Sequence, residues 1–196
     1  MRRLATAALL LAGAAPLAAL RPSGDGPPPG HTGGFGEPTC LACHVGEEPE
    51  APGGSLRIEG LPERFVPGAR YRVAVVVERA GLARAGFQLA VRYLDGDSAG
   101  IGAGAIRVLD SRAQIVADTV RRVPYIEHTR LGSAATGGRT RWEFEWIAPG
   151  TARDVVVHAA SVAANDDDSN LGDVVVRRSV RVTAGNGERG TGNGGP

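Results

Sequence analysis

Cys40-Leu41-Ala42-Cys43-His44 is the stretch richest in chemistry. Two thiols three positions apart, followed at once by an imidazole, form the attachment signature of c-type haem. The spacing lets each thiol add to one vinyl group of a porphyrin and brings His44 beneath the iron as proximal ligand. It also sets Cys40 and Cys43 on one side of a helical turn. These are the only two cysteines in 196 residues, which excludes a long-range disulfide. A local disulfide and a metal site are the alternatives. Zinc calls for four ligands, and no second Cys/His pair stands at close spacing. A thioredoxin-like role lacks its βαβ context.

The sixth position on the iron is the open question. Met1 is the only methionine, it falls in a segment expected to be removed, and there is no lysine. That leaves His31, His128, His158 or an open site. His128, in Tyr125-Ile126-Glu127-His128-Thr129, sits at a strand end before a Gly-rich loop, where sandwiches place ligands, and is the expected distal ligand. Its alternative is a surface histidine beside Glu127. His158 lies within Val155-Val156-Val157-His158-Ala159, where either strand face is open to it. His31 is in a linker whose ordering costs entropy. Two histidine ligands suit electron transfer at a potential below that of His/Met cytochromes. An open position would admit gas binding or peroxide chemistry, so a haem enzyme stays a minor option beside a carrier or binding module. The single motif implies one haem c, one iron and an unnamed redox partner protein. No Gly-x-Ser-x-Gly, phosphate loop or Ser/His/Asp set supports a hydrolase. The acidic loop Asn165-Asp166-Asp167-Asp168-Ser169-Asn170 has calcium-type oxygen ligands but not the EF-hand order, so a solvated turn is the plainer reading, as it is for Glu47-Glu48.

The elements that must position these residues fall in a clear order. Met1-Arg2-Arg3 and the apolar run from Leu4 to Leu20 have the form of a secretory signal peptide, with a cut expected after Ala19. Haem c is ligated outside the bacterial inner membrane, so export and the motif agree; the expected place is the periplasm or cell envelope. The mature chain would hold about 175 residues, enough for one domain with a core. Residues 20–36 read as a Pro/Gly-rich linker, 37–52 as the haem-attachment segment, 53–183 as a folded domain and 184–196 as a disordered Gly-rich tail. From Ser55 onward, period-two alternation predicts strands: Tyr71, Val73, Val75, Val77; Phe87, Leu89, Val91, Tyr93; Trp142, Phe144, Trp146; and Val176, Val180, Val182. Turn signals separate them, among them Pro67-Gly68, Asp95-Gly96 and Pro149-Gly150. About eight strands with no amphipathic helix predict an all-β, immunoglobulin-like sandwich rather than a helical cytochrome. The 22 basic residues, all arginine, are matched by 21 acidic ones, which disfavours nucleic-acid binding. No later stretch approaches the roughly 18 apolar residues of a membrane span.

The order of local motifs resembles bacterial exported proteins with a Reeler-like, or choice-of-anchor, domain. The similarity begins at Gly33-Gly34-Phe35-Gly36-Glu37-Pro38-Thr39-Cys40-Leu41-Ala42-Cys43-His44 and continues through Gly53-Gly54-Ser55-Leu56, Gly60-Leu61-Pro62 and Pro67-Gly68. It extends to Ala85-Gly86-Phe87-Gln88-Leu89, Trp146-Ile147-Ala148-Pro149, and Ala163-Ala164-Asn165 through Gly172-Asp173, about residues 33 to 183 in all. The resemblance implies an immunoglobulin-like sandwich with the haem-motif segment docked at its N-terminal side, and no particular reaction. Eukaryotic Reeler domains carry cysteines of their own that are missing here. Many bacterial relatives end in an anchor, where this chain has a Gly-rich stretch.

Overall fold

The computed structural model describes residues 24–47, 55–167 and 169–185. The expected signal segment, Glu48, Asp168 and residues 186–196 of the expected tail lie outside the described residues. Eleven strands are described: β1 (Val45–Glu47), β2 (Ser55–Glu59), β3 (Arg64–Phe65), β4 (Arg70–Glu78), β5 (Arg84–Tyr93), β6 (Ala105–Val108), β7 (Ala113–Asp118), β8 (Val123–His128), β9 (Arg139–Ile147), β10 (Val155–Ala164) and β11 (Leu171–Ala184). Only short 3₁₀ turns accompany them, so the all-β expectation holds among the described residues.

The strands form two sheets. The larger runs β1-β11-β10-β5-β8-β7, with β3 also paired to β11; the smaller runs β2-β4-β9-β6. Their facing surfaces close on the expected core. Val73, Val75, Val77, Trp142, Phe144 and Trp146 of the smaller sheet meet Phe87, Leu89, Val91, Val155, Val157 and Ile126 of the larger. Phe87 lies 4.6 Å from Trp142 between ring centres, and Phe65 packs edge-on against Trp146.

The two outward faces differ. On the smaller sheet, Arg70, Arg72, Arg107 and Arg141 pair with Glu59, Glu143 and Glu145, an exposed lattice of weak individual pairs. On the larger sheet the outward residues of β5 and β8 are themselves buried: Gln88, Ala90, Arg92, Tyr125 and Glu127 are all at most 2 % exposed. The cover is the chain from Gly24 to His44, a strap over residues 24–39 followed by the Cys-x-x-Cys-His segment. Alternation therefore did not separate core from water in β5, because a second layer lies on its outer side. Residues 24–36, expected as a linker, are part of that layer. Both oxygen and nitrogen of the Gln88 amide tie it down: Oε1 accepts from Gly30 N (3.0 Å) and His31 N (2.7 Å), and Nε2 donates to Pro28 O (3.1 Å).

Candidate haem site

The attachment motif forms the local structure its spacing predicts. Cys40–Ala42 is a 3₁₀ turn capped by Thr39, whose hydroxyl accepts from Leu41 N. Cys40 O accepts from both Cys43 N (3.2 Å) and His44 N (2.9 Å), which fixes the two thiols one turn apart. Cys40 packs with Leu41, Ala160, Val162 and Val175 on the outer face of the larger sheet. Burial pushes its thiol up to about 12, with a smaller contribution from the neighbouring Cys43. Both cysteines are free, so the local disulfide considered from sequence is not formed.

A clip from the end of β10 and the start of β11 holds the motif in place. Asn170 Nδ2 donates to Cys43 O (2.8 Å), and Val45 N donates to Asn170 O (2.6 Å). β1 then pairs in parallel with β11, Gly46 opposite Asp173. A Cβ at Gly46 would overlap the Asp173 carbonyl, so this close approach requires glycine. The clip also brings His44 Nδ1 to 2.5 Å from Asp173 Oδ2, with the Asp173 side chain fully buried and His44 16 % exposed. Asp173 Oδ1 accepts from Asn165 N (3.2 Å). With Nδ1 engaged, Nε2 of His44 is the nitrogen left for a ligand. The acidic loop is an exposed turn at Asn165, Asp166, Asp167 and Ser169, as the plainer sequence reading has it, and only its last residue, Asn170, reaches the Cys-x-x-Cys-His segment.

These residues open onto one cavity of about 670 Å³ that Cys40, Cys43, His44, His31, His128 and Phe87 help to line. That volume suits a cofactor-sized ligand. His128, the last residue of β8, is buried and stands beside Gly86, where any side chain at position 86 would meet its ring. Its Nδ1 lies 3.1 Å from Phe87 N and 3.3 Å from Phe87 O. The backbone thus holds the ring by Nδ1 in either tautomer. Burial lowers the pKa of the imidazole, against the Phe87 backbone hydrogen bond, and so favours the uncharged form that binds metal. His31 also lines the cavity, its Nδ1 donating to Pro28 O (2.8 Å). Beneath the strap, Glu127 Oε2 accepts from Gln88 Nε2 (2.9 Å) and Oε1 from Gln114 Nε2 (3.0 Å). Burial lifts the Glu127 carboxyl to about 7 against those two hydrogen bonds.

His158 is not among the residues lining this cavity. Its ring is covered by Gly34 and stands edge-on to Phe35, 5.5 Å between ring centres, on the outer face of β10. The strap occupies the place a ligand would need, so the structure gives His158 no access to a haem in the cavity. Asp173, Asn170 and Gly46 were missed as site residues from sequence. Asn170 and Asp173 stood within a loop singled out for other reasons, but nothing local shows that it folds back across more than 120 positions onto Cys43 and His44.

The residues fit a covalently held haem on three counts. The thiols are a turn apart beside a cavity of suitable size, a histidine comes next with one nitrogen anchored and the other available, and a second, buried histidine lines the same space. Among the described residues no three His, Cys, Asp or Glu side chains gather as a protein-only metal centre. No described helix is long and apolar enough to cross a membrane.

No family model and no curated protein matches the chain. Among solved structures it is similar to the Reelin-N domain of F-spondin at 21 % identity, covering 74 % of this chain and 95 % of that one with a TM-score of 0.48. A human F-spondin reeler domain is similar at 22 % identity, 74 % and 96 % coverage and a TM-score of 0.46. A cohesin module from a Clostridium perfringens family 33 glycoside hydrolase matches at 11 % identity, 67 % and 96 % coverage and a TM-score of 0.47.

Proposed function

We propose that the chain is an exported Reeler-like binding module whose ligand is a single haem c, held in the cavity and used in electron transfer or redox sensing in the cell envelope. The observation that carries this reading is the convergence of the attachment motif with His128 and His31 on one cavity. Cys40 and Cys43 would supply the two thioether sulfurs and His44, through Nε2, a nitrogen for the iron. His128, oriented by the Phe87 backbone, would be the second histidine ligand, with His31 as its competitor. Bound there, haem would supply a one-electron couple, and the surrounding strap would keep water from it. A redox partner protein would meet the cavity mouth.

Full-length protein exported together with haem-ligation machinery tests this. The expected result is a pyridine haemochrome spectrum of one covalently retained haem per chain, lost in Cys40→Ser/Cys43→Ser. Absence of a Soret band in the wild type under these conditions contradicts it. A second reading shares the cavity and accords with the Reeler-domain likeness: an extracellular binding module that takes a ligand without haem. Its disulfide variant is not supported, since both thiols are free.

A further inference from the structure

We propose that Asp173 is a positioning and tuning residue of the haem site: it holds the Nδ1–H of His44, fixes the proximal imidazole, and biases the iron toward its ferric state. The proposal rests on the haem reading above. Asp173 lies 129 positions from His44, yet its carboxylate reaches the ring at 2.5 Å. Its side chain is wholly buried, and the other oxygen is occupied by Asn165 N, so the carboxylate is aimed and cannot turn away.

The surroundings are built for this contact. Gly46 allows β1 to lie directly on the Asp173 backbone, and Asn170 binds the Cys43 carbonyl from the same loop. The pair therefore comes from the β1–β11 pairing, whose register shifts between Val45 and Gly46 to set Gly46 opposite Asp173, and not from a chance meeting of two surface chains. Carboxylate partners fix the tautomer and orientation of a ligating imidazole and raise its basicity. A more basic proximal nitrogen stabilises the higher oxidation state, and hydrogen bonding of this kind is one of the protein's levers on haem potential. In this buried contact the carboxylate acts on the ring with less screening than it would meet in water. An acceptor without charge, such as a backbone carbonyl, would orient the ring equally well but donate less electron density.

The test compares exported wild type with Asp173→Asn and Asp173→Ser, all produced with haem-ligation machinery. Haem content is read by pyridine haemochrome, folding by thermal circular dichroism, and midpoint potential by spectroelectrochemical titration. The expected result is haem retained in the variants with the ferrous form favoured about tenfold or more, an upward shift of about 59 mV per tenfold. Haem retained with a ferric-to-ferrous ratio changed less than about twofold would overturn the tuning role and leave the haem reading intact. If both variants fail to keep haem, the wild type decides. A far-downfield, slowly exchanging His44 Nδ1 proton in ¹⁵N-edited spectra of a diamagnetic ferrous form supports the strong hydrogen bond, and its absence overturns it. A wild type that takes no haem removes both claims together.

Discussion

At the scale of single residues, the site is a set of anchored nitrogens and two unequal thiols. Cys40 is buried and its thiol holds its proton well beyond neutral pH, while Cys43 is half-buried. Thiolate is the reactive form. Haem-free protein should therefore be alkylated by iodoacetamide at Cys43 first, by tenfold or more in rate, as tracked by peptide mass. Equal rates would mean that the turn opens freely. His128 gives a spectral prediction: His128→Ala should convert a low-spin spectrum to high-spin without loss of covalent haem, whereas His31→Ala should leave it low-spin. The reverse pattern would transfer the distal role to His31. Much of this was legible in the sequence. The motif's spacing announces its turn, and the Gly-rich loop that follows His128 marks it as a strand end, where β8 has it. His158 was not separable in the same way, because strand parity leaves both faces open and only the strap decides which is covered.

At the scale of elements, the N-terminal strap and the β1–β11 clip do the positioning. The strap is pinned by a buried cluster in which Glu37 accepts from Arg92, Tyr125 Oη (2.5 Å) and Thr32 Oγ1 (2.5 Å). Burial alone would raise the Glu37 carboxyl, but the hydrogen bonds from Thr32, Tyr125 and Arg92, together with the Arg92 charge, hold it below the ordinary 4.5. A lowered folded value means that this stability is present above about 4.5 and is lost as pH falls through the folded value. Glu37→Gln leaves the Arg92 charge buried without a counter-charge, so it should cost about 3 kcal/mol in urea unfolding at neutral pH and flatten the acid limb of the stability curve. No loss at neutral pH would show that the strap is held elsewhere. In the clip, Gly46→Val should break β1 pairing and lower covalent haem yield several-fold while the fluorescence of buried Trp142 and Trp146 stays native. The strap could not be read from a Pro/Gly-rich stretch, since such composition describes a chain without apolar pattern and its partners Gln88, Arg92 and Glu127 are distant polar residues. A buried polar strap leaves little hydrophobic signal.

At the scale of the molecule, the sandwich carries its candidate ligand site on an outer face, not in its core. The Arg/Glu face of the smaller sheet is left to solvent, and the larger sheet is covered by the strap and the motif segment. Strand-rich periodicity and two tryptophans were sufficient to anticipate the sandwich and its core. The cavity was not legible, because it is formed by four separated stretches: the strap with the motif, the start of β5, the end of β8 and the residues after it, and the β10–β11 connection. The most direct test of haem attachment is intact-mass and peptide analysis of the exported full-length chain made with haem-ligation machinery. The predicted result is a mass gain of one haem, located on the peptide containing Cys40, Cys43 and His44. An unmodified Cys40–His44 peptide from fully folded protein, with haem available during export, would contradict it.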